Sequence, residues 1–391
     1  MSRTVACVLI AAWLPVGCRD AEPESLHLGE LIRDDTVPVS ADAQSHADWE
    51  RVLEPRDFRF PRDHAAHPEY RIEWWYYTGN LQSEDGRRFG YQLTFFRTGF
   101  VREPTNPSRW TVRDLYTAHF ALSDLDREKH HAFQRNNRQG IDFAGADPET
   151  YKVWNGDWHV TLRDGIHHLV AADSGHEIDL RLEPSKPPVL HGDQGLSRKG
   201  PTPGNASYYY SITRMTTGGE IAVNGESISV QGESWMDHEF SSSFLEAGQR
   251  GWDWFALQLS NGKEIMLYQM RRDDGSADPF SSGTLVGRDG QAERFTRDDC
   301  RLEPLRRWTS PESKASYPVG WRVQLPTLGY DLQVEAACDA QEMRMEASTG
   351  IIYWEGSVTV TGQADGQPVT GRGYVELTGY SGMGLGSMFA E

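Results

Sequence analysis

Trp74-Trp75-Tyr76-Tyr77, followed by Leu81, a turn at Gly86 and Tyr91-Gln92, has a counterpart in Trp252-Asp253-Trp254-Phe255, followed by Leu259, a turn at Gly262 and Tyr268-Gln269. The two openings lie 178 residues apart. A second match closes the halves: Gly232, Ser234, Trp235 and Asp237 recur in register as Gly371, Gly373, Tyr374 and Glu376, 139 residues later. The first half is then the longer by 39 residues of insertion. Similarity in a fixed order signals duplication, because each copy must rebuild the same strands. The segments are rich in aromatic residues, which suit a pleated, half-buried surface. Glu84-Asp85-Gly86, Asn261-Gly262, Asp289-Gly290 and Asp365-Gly366 punctuate them as hairpin turns. No long stretch carries helical periodicity. The reading is an all-β chain of two antiparallel β-barrel or sandwich domains made by internal duplication, with a boundary near residues 240–250. Chance likeness among Trp-rich strands is the alternative.

Composition narrows the functions. The chain has 391 residues, with 39 Lys plus Arg against 57 Asp plus Glu and a formal net charge of −18. That balance repels phosphate backbones and sets nucleic acid aside as a partner. Hydrophobic residues make up 38%, and the 38 glycines bring the apolar share to an ordinary globular value, which excludes disorder over the whole length. At roughly 100–200 residues per domain, the length fits two domains.

The N-terminus reads as a processing signal. Arg3 precedes an apolar run from Thr4 to Val16, too short to span a bilayer, and Gly17-Cys18 follows. A small residue before a Cys at this point marks a bacterial lipoprotein cleavage site, with Cys18 as the lipidated first residue, although Pro15 stands where an aliphatic residue is usual. Plain secretion and an uncleaved segment are the alternatives. Each version exports the body of the chain to the cell envelope or periplasm, and lipidated Cys18 adds a membrane anchor. Residues 19–60, rich in Asp, Glu, Pro and Ser, read as a tether or arm. Once Cys7 and Cys18 are assigned to leader and anchor, Cys300 and Cys338 remain as a disulfide candidate in an oxidising compartment. Two unpaired buried thiols are the alternative.

Residues i and i+2 of a strand share a face. From Ile228 to Phe240, one face carries Ile228, Val230, Met236 and Phe240, and the other carries Gln231, Glu233, Trp235, Asp237 and Glu239. An acidic row with a Trp suits the inside of a ligand-holding barrel better than an outer surface. A carboxyl there loses hydration and keeps its proton to higher pH, which makes Asp237 a candidate general acid. A turn cap or a pairing with Arg is the structural alternative. Tyr208, Tyr209, Tyr210, Trp235, Trp252 and Trp254 gather about this region, with Trp74 to Tyr77 in the other half. Aromatic stripes are commonly core. Around an acid they also have a chemical use: the acid protonates an unactivated C=C bond and the π faces stabilise the carbocation until water arrives.

Other chemistries lack their residues. Strand alternation separates His238 from Asp237 and Glu239, so the three do not ligate a metal together. His64 and His67 lie between Pro61 and Pro68 and read as a satisfied structural pair in an irregular arm. There is no Gly-x-Ser-x-Gly elbow for a serine hydrolase and no Gly-rich phosphate loop leading to a helix. Neither a metal nor an organic cofactor is expected.

Five ordered motifs carry a resemblance. Phe60-Pro61-Arg62-Asp63-His64-Ala65-Ala66-His67-Pro68, Glu73-Trp74-Trp75-Tyr76-Tyr77-Thr78-Gly79, Trp235-Met236-Asp237-His238-Glu239, Gly251-Trp252-Asp253-Trp254-Phe255 and Glu376-Leu377-Thr378-Gly379-Tyr380 resemble the AttH-like secreted proteins. These are relatives of carotenoid 1,2-hydratase, often labelled predicted secreted hydrolases. The resemblance runs from about residue 55 to 385 and implies two lipocalin-like β-domains. With it the chain divides into a signal peptide (1–17), a tether (18–60), an N-terminal lipocalin-like domain (61–245) and a C-terminal one (246–391). The hydratase branch adds water across the terminal double bond of an acyclic carotenoid and carries its catalytic Asp in a Tyr-x-Asp-His segment. Asp237 matches that Asp, while Trp235 replaces the Tyr. The branch's upstream His-x-Trp pair falls near Tyr208 and Tyr210, which also differ. The secreted branch is often encoded beside ABC-transporter components.

Two functions follow. One is an exported lipocalin-like protein that holds an apolar, polyene- or isoprenoid-like small molecule in an aromatic pocket, in service of an ABC transporter. The other is a hydratase-like enzyme with Asp237 as general acid. Trp235, Tyr208, Tyr210, Trp252, Trp254 and Glu239 are the expected pocket residues in either case.

Overall fold

The computed structural model describes residues 49–382 apart from 104, 105, 107, 109 and 244. The leader, Cys18 and most of the acidic arm therefore lie outside the described residues. Within them, strands dominate, and the helical elements are three short 3-10 turns. Thirteen strands between Ile72 and Ser241 form one nearly closed, barrel-like sheet, and ten between Gln249 and Leu377 form a half-barrel. The hairpin glycines Gly86, Gly262, Gly290 and Gly366 all take positive φ, as their turns require.

The two sheets are wound alike. In each, the first strand lies between the second and the last. Ile72–Ser83 sits between Arg88–Gly99 and Glu226–Ser241, and Gln249–Leu259 sits between Glu264–Arg272 and Gln367–Leu377. Matching residues meet matching partners, since Tyr76 stands opposite Asp237 and Trp254 stands opposite Glu376. The recurring glycines have a steric cause. A Cβ on Gly232 would lie 2.1 Å from the Asn80 carbonyl oxygen, and one on Gly371 would lie 2.5 Å from that of Gln258. Only a residue without a side chain lets the neighbouring strand come so close.

Alternation sorts the side chains. Trp75, Tyr77 and Leu81 turn into the first sheet, where they pack with Phe89, Phe95, Phe120 and Trp158, all fully buried. This interior is filled by side chains, as in other small barrels. Tyr76 and Trp235 turn outward onto the second sheet and form a shared cluster with Tyr209, Trp254, Tyr268 and Tyr374. The acidic face of the Asp237 strand thus lies between the two sheets, and the expectation that it lines a barrel interior is corrected. Met236 occupies the interior instead.

An ionic clamp holds the sheets together. Glu264 is fully buried and accepts Lys186 Nζ at 2.6 Å, Arg214 Nε at 2.7 Å and the Thr213 hydroxyl at 3.2 Å, all from the first sheet's side. Gln258 adds its side-chain N–H to the carbonyls of Thr213 and Ser234 at 2.9 and 3.0 Å.

Two further expectations are corrected. The end of the arm is not a free tether: Trp49 and Val52 are buried, Trp49 against Gly99, and Phe58 packs on Tyr208, Tyr210 and Phe240. Cys300 and Cys338 are both free thiols. Cys300 precedes Arg301, which pairs with Gln324 and through it Asp331, whereas Cys338 follows Ala336 at the other end of the same strand. At ~3.3 Å per residue that separation is roughly 20 Å, well beyond the ~7 Å limit for bridged Cα atoms.

Candidate active site at the interface of the two sheets

Asp237 lies mid-strand on Glu226–Ser241 and is 4% exposed. Three donors converge on it. Trp235 Nε1 donates to Oδ1 at 2.7 Å, the Ser211 hydroxyl also donates to Oδ1, and the Tyr209 hydroxyl donates to Oδ2 at 2.7 Å. Burial pushes the carboxyl upward, the donors from Ser211, Tyr209 and Trp235 pull it back, and Glu239 adds a small upward push. The balance raises it to about 7. Asp237 therefore divides between acid and carboxylate near neutral pH.

A second layer orients the donors. Trp254 Nε1 donates to the Tyr209 oxygen at 3.0 Å, and His191 Nε2 lies 2.6 Å from the Ser211 hydroxyl. Burial holds His191 down to about 3, so the imidazole is neutral. Beside them, Lys199 pairs with Glu239 at 2.9 Å and sits over the ring of Tyr209 at 5.1 Å. Burial opposes the Lys199 charge, and Glu239 and Tyr268 outweigh it.

The second sheet brings its own acids. Glu376 stands opposite Trp254 on one side and Glu355 on the other. It accepts Trp252 Nε1 at 3.0 Å and is partly exposed beside half-buried Trp252. Burial raises its carboxyl, Trp252 opposes, and Asp237 and Glu239 push further, to about 7. Glu355 is 2% exposed, and neither of its carboxyl oxygens has a hydrogen-bond partner among the described residues. The Tyr76 and Tyr353 hydroxyls approach it without reaching hydrogen-bond geometry, and Tyr76's own hydroxyl is also unpartnered. Burial and the Glu376 charge drive Glu355 well upward.

The structure brings together some of the residues expected to line a pocket and not others. Trp235, Asp237, Glu239, Trp252 and Trp254 share the interface, with Trp74, Leu245 and Trp252 at its half-buried rim. Tyr208 and Tyr210 do not join them. Tyr208 packs with Tyr70 and Phe240, and Tyr210 points into the first sheet, its hydroxyl 2.7 Å from His64 Nδ1 and 2.9 Å from His238 Nδ1. Tyr209 takes the place beside Asp237 and supplies the phenol that the resemblance puts at Trp235. Tyr209, Tyr76 and Glu376 are named in the sequence only within the aromatic cluster and the repeat, not as pocket residues, and Ser211 and Glu355 carry no sequence signal of their own. The repeat was the available signal, since it aligns Tyr76 with Trp254 and Asp237 with Glu376.

His64 and His67 sit on a 3-10 turn (Arg62–His64) and just past it, sealing the far side of the Asp237 strand. Glu73 Oε1 lies 2.9 Å from His67 Nδ1 and 2.8 Å from His238 Nε2, its other oxygen lies 3.2 Å from Arg97 Nε, and Arg97 also reaches Asp114. His67, Glu73 and His238 are close enough to share an ion. Their ligand atoms already satisfy one another, and the Arg97 guanidinium neutralises Glu73, so the group reads as an ion-pair network. A separate concavity of about 660 Å³ runs along Gln82, Arg181, Glu233 and Arg372, outside the acid cluster.

Residues 51–380 match the AttH-like family, and the chain belongs to it. An AttH from Nitrosomonas europaea is 38% identical, with a TM-score of 0.77 over 85% of this chain and 99% of that one. Kievitone hydratase from Nectria haematococca shares the fold at 15% identity, with a TM-score of 0.64 over 85% of this chain and 96% of its own. Dehydratase asqC of Emericella nidulans is 21% identical over 278 residues, 68% of this chain and 77% of that protein.

Proposed function

We propose that this AttH-like protein is a hydro-lyase-type enzyme that adds water to, or removes it from, a C=C bond of an apolar, isoprenoid-like substrate at the interface of its two sheets. The observation that carries the reading is the buried Asp237 carboxyl bonded to the Tyr209 phenol among aromatic faces. When Asp237 is protonated, it donates to the Tyr209 oxygen, and the phenol hydrogen is released to point outward. Transfer of that hydrogen to an alkene carbon, with the Asp237 proton replacing it on the phenol, leaves an Asp237 carboxylate and a carbocation. Trp254, Trp235 and Tyr76 offer π faces to the cation, and capture of water completes hydration. Dehydration is the same path reversed, so a named hydratase and a named dehydratase among similar proteins are compatible with one site. Substrate enters past the half-buried rim at Trp74 and Trp252.

The test is turnover of farnesol, a neutral alkene probe, in oxygen-18 water, followed by mass spectrometry. Wild type is expected to gain one labelled water, and Asp237→Asn is expected to lose that product while folding normally. Undiminished product from the variant would remove the acid role. Farnesol that binds with unchanged affinity to both proteins and is never hydrated would favour the carrier reading. The envelope location rests on Gly17-Cys18. Cys18→Ser is expected to release the protein from the membrane fraction, and unchanged fractionation would contradict lipidation.

A further inference from the structure

The acids of the second sheet have no role in the proton transfer just described, and their geometry is unlike that of Asp237. Asp237 has donors on both oxygens, whereas Glu355 is buried with both oxygens unpartnered and Tyr76 presents an unpartnered hydroxyl beside it. Buried polar atoms are almost always satisfied, so orphaned ones call for a further polar partner, and a water or hydroxyl is a fitting one. Glu355 and Glu376 face each other across adjacent strands, and Glu376 extends to the partly exposed rim. No Lys or Arg pairs with either among the ion pairs of the described residues. Tyr76 links the two ends of the site, standing opposite Asp237 on its strand and beside Glu355 across the interface.

We infer that Glu355 and Glu376 act as a one-proton carboxyl pair that binds the water, or the alcohol hydroxyl, on the side of the substrate opposite Asp237 and accepts the proton released when the C–O bond forms. The inference rests on the hydro-lyase reading. The two are cross-strand partners in a buried setting, and the charge of either one opposes ionisation of the other, so one keeps a proton while the other serves as a base. In hydration, the alkene π pair takes the proton delivered through Tyr209. A lone pair of water then forms the C–O bond, and the proton that this oxygen sheds goes to the free carboxylate of the pair. The pair returns a proton to solvent and Asp237 regains one, so the net change is alkene plus water to alcohol. The nearby Lys199 is paired with Glu239, and Asp237, Glu355 and Glu376 have no ion-pair partner among the described residues, so the site disfavours anions and suits a neutral or cationic molecule bearing a hydroxyl or gaining one.

Two readouts separate this from the Asp237 role. In heavy water, recovered farnesol should gain deuterium at carbon through reversible protonation, while hydration is scored as alcohol formed. Glu355→Gln and Glu376→Gln are expected to keep the deuterium exchange and to lose alcohol formation by about 100-fold or more. Asp237→Asn is expected to lose both. Full alcohol formation in both Glu variants would overturn the pair, and loss of neither activity in Asp237→Asn would overturn the acid reading alone. The second readout needs no substrate. The infrared carbonyl band of a protonated carboxyl at pH 8 should persist in wild type and Asp237→Asn and vanish in Glu355→Gln. A band unchanged in Glu355→Gln contradicts the shared proton.

Discussion

Tyr76 and Trp254, which occupy equivalent positions in the two repeats, meet edge to face across the interface with ring centroids 5.1 Å apart. Each also stands directly opposite an acid on the neighbouring strand, Asp237 for Tyr76 and Glu376 for Trp254. The duplicated halves therefore bring their equivalent faces together and enclose two equivalent acids between them. They have diverged at the next strand, where Ser211 lies beside Asp237 and Glu355 beside Glu376. One acid is wrapped in donors and the other faces a second carboxyl.

Tyr209→Phe removes a donor that favours ionised Asp237, so the carboxyl should move further up. The same change breaks the path of the proton to substrate. Turnover should fall by about 10- to 100-fold, and the alkaline limb of the pH–rate profile should move to higher pH. A fall in rate with the limb unmoved would assign Tyr209 to packing alone.

Asp237→Asn should change the pH dependence of stability in a defined direction. The native carboxyl holds its proton up to about 7 against 3.8 for the free group. Its contribution is complete below pH 3.8 and is lost as pH rises to 7, ~4 kcal/mol in all at ~1.4 kcal/mol per pH unit. The variant has no such loss, so relative to wild type it should gain about 3 kcal/mol between pH 5 and 8 in urea unfolding. Buried His64, His119, His167 and His191, held to about 3 chiefly by burial, destabilise both proteins on acidification and cancel in the difference. An identical pH dependence in the two proteins would contradict a buried, protonated Asp237.

Glu264→Ala leaves Lys186 and Arg214 without their shared buried partner. Removing one member of a buried pair costs about 3–5 kcal/mol, and here the loss falls on the contact between the sheets. Calorimetry should show a lower midpoint and a transition split in two, with Glu264→Gln intermediate. A single transition at the wild-type temperature would mean that the aromatic cluster alone docks the sheets.

Cys300 and Cys338 should both alkylate after denaturation without reductant, and reductant should leave the melting temperature unchanged. Protection of the two residues as a pair would restore the disulfide.

The sequence made the strands and the duplication legible because both depend on local signals. Positive-φ turn glycines, i/i+2 alternation and the recurring Gly232/Gly371 positions are all readable without tertiary contacts. Which Tyr faces Asp237 depends on register. Near the Asn224-Gly225 turn, Thr217 pairs with Gly232 and Met215 with Ser234. Continued without interruption, that register would put Ile212 opposite Asp237, with Tyr208 and Tyr210 on the same face. A β-bulge between Ile212 and Met215 shifts the pairing by one residue and brings Ser211 opposite Asp237, so Tyr209 and Ser211 turn toward it. The bulge also carries Thr213 and Arg214 to Glu264. It is held by a contact between the two sheets, which no single strand encodes. The inside and outside of the barrel were likewise ambiguous, because the interface buries an outer face as thoroughly as a core.

The most direct measurement is a carbon-13 titration of the Asp237 side-chain carboxyl in aspartate-labelled protein, assigned by comparison with Asp237→Asn. The account predicts a resonance that titrates near pH 7 and moves higher in Tyr209→Phe. A midpoint near 4, or a carboxylate signal constant from pH 5 to 9, would contradict an acid poised to protonate a double bond.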